Sequence, residues 1–182
     1  MRRIPGLITA VAAALAVAGC ATTMSVSSHV ERGIDFAHYR TYDWGPADAL
    51  PTGDPRLDKD PFFKDHFQGA VEKALATKGL GWSTPRMSDL LIHYHANISE
   101  RIDVDRMDTE RGYCAGDGCT PPVVEHEAGT LVLDVIDART NRLIWRGWAQ
   151  RGVKDMLENQ DTMARLIDEA VARMFARFPR PL

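Results

Sequence analysis

The stretch TLVLDVIDARTNRLIWRGWAQ, residues 130–150, constrains the fold more than any other. Two runs rich in Val, Leu, Ile and Trp flank Asp137 to Asn141, residue types that bond their own backbone in turns. A run–turn–run pattern of this kind predicts a β-hairpin, and therefore an antiparallel ladder. A lone hairpin is marginal in water, so further strands and a covering layer must come from elsewhere in the chain.

The rest of the sequence supplies them. In DLLIHYHANIS, residues 89–99, Leu90, Ile92, Tyr94, Ala96 and Ile98 point one way. Leu91, His93, His95, Asn97 and Ser99 point the other, the pattern of a strand with one wet face. Alternation at Met24, Val26, Ser28 and Val30 predicts an early strand, FAHYRTYDW (36–44) a second, and Leu80 to Ser83 a short one. Residues 45–61, rich in Pro, Gly and Asp, read as an exposed loop. A helix follows, with Asp60 as its N-cap and Pro61 in its first turn. Phe63, Phe67, Ala70, Val71, Ala74 and Leu75 make its apolar face, and Gly79 suits a left-handed C-cap. A second helix, about residues 160–177, carries Met163, Leu166, Ile167, Ala170, Val171, Met174, Phe175 and Phe178 on one stripe. Arg165, Asp168, Glu169, Arg173 and Arg177 face water. The order predicts an α+β domain: an antiparallel sheet of about five to seven strands with two main helices packed on it. Strands that follow the first helix without helical crossovers argue against a doubly wound sheet.

The chain opens MRRIPGLITAVAAALAVAGCATT, arginines followed by a short apolar run, the form of an export signal. Val17-Ala18-Gly19-Cys20 resembles the lipobox of bacterial lipoproteins. The resemblance implies cleavage before Cys20, a diacylglycerol thioether on its sulfur and an acylated amine. Two or three acyl chains hold a membrane firmly where one does not. Ala21 stands where an inner-membrane retention signal would have Asp, which implies the outer membrane. On this reading residues 1–19 are a signal peptide, 20–23 a short lipidated tether and 24–182 one domain facing the periplasm. Loss of 19 of 182 residues leaves 163, enough for one core. Loss of Arg2 and Arg3 takes the formal charge from −3 to −5. A mildly acidic chain without a basic cluster has no electrostatic footprint for nucleic acid, and no polybasic patch to reinforce the membrane anchor. The expected partners are the membrane, through the lipid, and an envelope protein.

DFAHYRTYDW (35–44), DLLIHYH (89–95), GTLVLDVIDARTNRLIWRG (129–147) and EAVARMFARFP (169–179) together resemble the domain-of-unknown-function 4136 family of bacterial lipoproteins. They lie in the family's order across nearly the whole mature chain. The resemblance implies an envelope lipoprotein with an α+β fold and supplies no catalytic residues. RGYCAGDGCTPP (111–122) departs from a Gly- and Trp-rich stretch of the family.

Of three cysteines, lipid on Cys20 leaves Cys114 and Cys119 as a pair across four turn-forming residues. Export to an oxidising compartment makes a disulfide the expected state. A reduced or metal-bound pair and a redox pair are the alternatives. The spacing and glycines do not match a C-x-x-C motif opening a helix. His93 and His95, at i and i+2 on one strand face, with His126 in another strand, form a candidate metal set for zinc or copper. Asn97 and Ser99 continue that face, as an ordinary wet surface would. Of the carboxylates Asp134 and Asp137, the second reads as a turn residue. No nucleophile elbow, S-x-x-K or phosphate-cradling loop is present, and no cofactor is expected beyond the lipid. Trp145 and Trp148 must face opposite sides of one strand, so one enters the core. Strict alternation pairs Leu143 with Trp145, and Ile144 with Arg146 and Trp148. Tyr42, Trp44, Arg146 and Trp148 make the candidate ligand or partner surface. The leading expectation is a non-catalytic binding or interaction module; the alternatives are a periplasmic metal-binding protein using His93 and His95, and an enzyme with an unrecognised site.

Overall fold

A computed structural model describes residues 23–46, 53–84, 87–102 and 125–179. Cys20 and the Cys114–Cys119 pair lie outside these residues. The strands are β1 (Ser25–Val30), β2 (Thr41–Trp44), β3 (Gly81–Trp82), β4 (Leu90–Ile102), β5 (Glu125–Asp137) and β6 (Arg142–Gly152). The helices are α1 (Pro55–Asp58), α2 (Pro61–Thr77) and α3 (Gln160–Phe175). The strands form one sheet in the order β1-β6-β5-β4-β2-β3.

The hairpin forms as its sequence demands. Asp137 Oδ1 accepts from the Thr140 backbone at 2.7 Å and from its hydroxyl at 2.9 Å. The Asn141 N–H closes the turn on the Asp137 carbonyl at 2.8 Å, with Asn141 in the left-handed region at φ 53°. β5 and β6 pair antiparallel, but the register shifts at Val135/Ile136: Ile136 faces Leu143 while Val135 faces Trp145. Ile144 is the extra residue of a β-bulge, and it is buried. The bulge corrects the strict alternation expected of this strand. Leu143 shares a face with Arg146 and Trp148, while Trp145 turns to the core.

The expected all-antiparallel sheet is also corrected. β2 runs parallel to both β3 and β4. It precedes α2 and β4 follows it, so the helix is itself the crossover that parallel pairing requires. Two local expectations change with it. Phe36–His38 is a 3₁₀ turn capped by Asp35, not strand, and the loop before α2 contains α1, anchored by buried Leu57.

α2 starts where Asp60 accepts from the Phe62 and Phe63 N–H groups. It ends with Gly79 at φ 78° and the Leu80 N–H returning to the Leu75 carbonyl. Phe63, Phe67, Val71 and Leu75 enter the core, as do seven residues of the α3 stripe from Met163 to Phe175. Both helices cover one sheet face, meeting Leu90, Ile92, Tyr94, Ala96 and Ile98 of β4 and Leu133 and Val135 of β5.

Trp145 is fully buried at the centre of this layer, its ring centroid 5.1 Å from Phe178 and 5.9 Å from Phe175. The indole lies over Gly147, two residues on along the same face; a Cβ at Gly147 would overlap the ring. Gly69, on α2, has open space around its Cα. Gly147→Ala should therefore lower stability by about 1–3 kcal/mol, because the buried indole has nowhere to move. Gly69→Ala should raise it by about 0.5–1 kcal/mol through helix propensity. Urea midpoints that move in the same direction for both variants would contradict this packing.

Candidate functional site

The opposite sheet face carries no helix among the described residues. The strand registers place its side chains in four rows. Asp43, Leu91, Ile136 and Leu143 form the first, running from β2 to β6. His93, Asp134, Arg146 and His29 form the second, from β4 to β1. His95, Val132, Trp148 and Ser27 form the third, and Asn97, Thr130, Gln150 and Ser25 the fourth. The face thus grades from apolar, through charged and aromatic, to polar. Leu143 is 37% exposed, and Leu91, Val132, Ile136 and Trp148 are partly buried.

The second row is the most constructed. Arg146 donates from Nε to Asp134 Oδ1 and from Nη2 to Asp134 Oδ2, both at 2.6 Å. The carboxylate is almost wholly covered while the guanidinium side chain is 44% exposed. A two-point clamp fixes the plane of the guanidinium and leaves its remaining N–H groups directed outward beside Trp148. Asp134 therefore meets Arg146 and not Asp137. The spacing hid this pair, since without the bulge Asp134 would face Trp145.

The aromatic surface expected from the sequence divides between the two faces. Tyr42 is buried under the helices. Trp44 packs on Phe67 and Tyr94 and donates its Nε1 to Glu72 at 2.9 Å. These two rings belong to the core side, because β2 sits beside β4 in parallel and presents them to α2. Arg146 and Trp148 remain together on the open face. The candidate metal histidines are not brought together either. His93 and His95 share the face, but Nε2 of His93 is buried without a hydrogen-bond partner, against Gly45. A Cβ on Gly45 would overlap that nitrogen, so glycine is what lets the ring lie down there. His126 sits opposite Arg101, six residues along β5 from Val132, the partner of His95, which is roughly 20 Å of strand. Among the described residues no three His, Cys, Asp or Glu side chains converge to hold a metal ion.

At the end of the sheet near the β5–β6 turn lies a polar cleft of about 520 Å³, lined by Tyr39, Ser88, Asp89, Asp137 and Arg139 among others. Its carboxylates are engaged. Asp89 accepts from the Arg40 and Thr41 N–H groups at 2.8 and 2.9 Å and from the Thr41 hydroxyl at 3.0 Å. Burial opposes its charge, yet these donors outweigh burial and hold the carboxyl below its ordinary value. Asp137 is likewise held low by the Thr140 and Tyr39 donors against burial. Burial and donation to Asp137 push Tyr39 up to about 12. At neutral pH Tyr39 is a fixed donor and the carboxylates fixed acceptors, a structural arrangement of β2, β4 and the hairpin turn.

The His93 imidazole is held below the ordinary histidine value. Burial lowers it, the Asp134 charge pulls back without cancelling burial, and His95 adds to the lowering. Arg146, clamped on Asp134, is the cation in the same row. The unfolded chain then binds a proton on His93 more readily than the folded one. Stability should be full above the unfolded value near 6.5 and fall as pH drops through it. Urea unfolding measured from about pH 7 to pH 5 should show this loss, and His93→Gln should flatten the slope. An unchanged slope in His93→Gln would refute the buried ring.

The pattern of the DUF4136 family, a domain of unknown function, matches residues 26–180. The crystal structure of a DUF4136 family protein from Bacteroides thetaiotaomicron superposes with a TM-score of 0.56 at 14% identity, covering 87% of this chain and 97% of that one. A PDZ domain protein from Parabacteroides distasonis superposes with a TM-score of 0.53 at 15% identity over 87% of this chain, but only 37% of its own. No curated protein sequence matches the chain. At such identities the two structures show a shared fold, while the family pattern spans the sheet and both long helices: the chain belongs to the DUF4136 family, a domain of unknown function.

Proposed function

We propose that the chain is a lipid-anchored envelope protein whose domain faces the periplasm and works as a non-catalytic binding or interaction module. Cys20 carries the anchor, in the outer membrane. The observation that carries the binding role is the sheet face that no helix covers among the described residues, where partly exposed Trp148 adjoins Arg146 clamped on buried Asp134. Aromatic rings and arginine dominate the energetics of protein interfaces. An arginine already fixed by its own carboxylate loses less freedom when a partner binds. The neighbouring apolar row of Leu91, Ile136 and Leu143 extends the contact area.

The tether supports placement at the membrane. Ser25 follows Cys20 by five residues, a reach of at most about 18 Å. β1 is the edge strand beside β6, so the Trp148 face stands close to the lipid and meets partners there.

Crosslinking of intact membranes followed by pull-down should recover an envelope protein with the native chain. Trp148→Ala should lose it, weakening binding by roughly 2 kcal/mol, and Arg146→Lys, which cannot reproduce the two-point clamp, should weaken it less. Cys20→Ala should move the domain to the soluble periplasmic fraction. Capture undiminished by Trp148→Ala would exclude this face, and tight membrane retention of Cys20→Ala would exclude the anchor.

A further inference from the structure

Between the helices and the sheet lies an open cavity of about 60 Å³ whose wall is almost entirely carbon, formed by Met24, Leu57, Phe63, Met156, Leu166 and Ile167 among others. The volume is roughly four to six times what a single water needs, yet the wall gives water nothing to bond. Its position is what marks it. Met24 is the residue immediately before β1, and the sheet rows at the cavity, Ala96–Leu131–Ala149–Val26 and Ile98–Gly129–Arg151, are those nearest the start of β1. The polar cleft lies at the other end of β4, beyond Leu90. Met24 follows Cys20 by four residues, at most about 14 Å of extended chain. Two flexible methionines, Met24 and Met156, form part of the wall, side chains that adapt to an apolar guest of irregular shape.

We propose that this cavity receives the end of one acyl chain of the lipid on Cys20, docking the domain against its own anchor in one orientation. The proposal rests on the lipidation read from the lipobox. The geometry supplies the remainder: a carbon-lined opening within reach of the attachment point, and room for a short run of methylenes rather than a whole chain. A domain held in this way presents the sheet rows to the membrane in fixed order, polar row nearest the anchor and apolar row farthest.

Cells grown on a fatty acid with a terminal diazirine supply the test. Intact membranes are irradiated, the full-length protein is purified and digested with trypsin, and peptides are read by mass spectrometry. The expected result is a lipid-bearing Cys20 peptide joined through its acyl end to the peptides 155–165 or 166–173, which hold Met156, Leu166 and Ile167. Ala170→Phe, which fills the cavity from α3, should abolish the joint. If that variant does not fold, the adduct map of the unmodified protein still decides. A Cys20 peptide without lipid mass would overturn the anchor itself. A lipid-bearing Cys20 peptide joined to neither peptide would overturn the docking and leave the anchor standing. The same two peptides carrying phospholipid instead of the Cys20 peptide would assign the cavity to bulk membrane lipid and overturn the proposed source.

Discussion

The extra residue at Ile144 governs which side of the sheet every later residue of β6 faces. Before it, Leu143 stands opposite Ile136 on the open face; after it, Trp145 stands opposite Val135 in the core. An unbulged ladder would send Trp145 out and bring Arg146 in. A one-residue change of register exchanges the two faces of a strand, and here both faces depend on it. On the inner side it brings the largest buried ring against Phe175 and Phe178 and sets Gly147 beneath the indole. On the outer side it sets Arg146 opposite Asp134 and leaves Trp148 beside it. The hydrophobic layer and the candidate binding surface thus follow from one irregularity.

The bulge also explains what could be read from the sequence and what could not. Elements whose signal is local were legible: the Asp60 cap, Pro61 and Gly79 around α2, the α3 stripe, the Asp137–Asn141 turn and the alternation of β4. Each rests on side chains acting within a few residues of their own backbone. The opposite orientation of Trp145 and Trp148 was legible too, since any odd spacing implies it. Which tryptophan goes inward, and which residues keep it company, depends on one inserted residue that leaves no compositional mark. β2 posed a different difficulty. Tyr42 and Trp44 alternate correctly, but the face they join depends on a parallel pairing across α2, a contact between residues nearly fifty positions apart. Gly45 shows the same limit: its role becomes visible only when the His93 ring is seen lying on it.

Most of the buried and half-buried aspartates among the described residues serve the backbone or a cation. Asp54 accepts from the Arg56 N–H and pairs with the Arg56 guanidinium. Asp89 joins the start of β2 to the start of β4, Asp137 closes the hairpin, and Asp134 holds Arg146. A general base needs a lone pair free for a substrate proton and a pKa near the working pH. Asp89 and Asp137 depart from the second requirement, since the groups that donate to them hold both carboxyls below their ordinary values. This disposition suits a scaffold that presents a surface.

The two ends of the sheet differ in kind, and the lipid anchor proposed on Cys20 would give that difference a direction. At the start of β1 the interior opens into a carbon-lined cavity beside Met24; at its far end, polar groups close on one another around Tyr39, Asp89 and Asp137. A soluble domain gains nothing from an apolar opening, because exposed carbon costs roughly 25 cal/mol per Å² relative to burial. At the membrane surface proposed for this domain the same opening would meet hydrocarbon instead of water, and that cost would disappear. Under the proposed anchor the polar end would lie on the side away from the lipid, where its ion pairs and hydrogen bonds meet water. On the same proposal a tether this short would limit how far the domain can turn, so chain length and the distribution of polarity would favour the same pose.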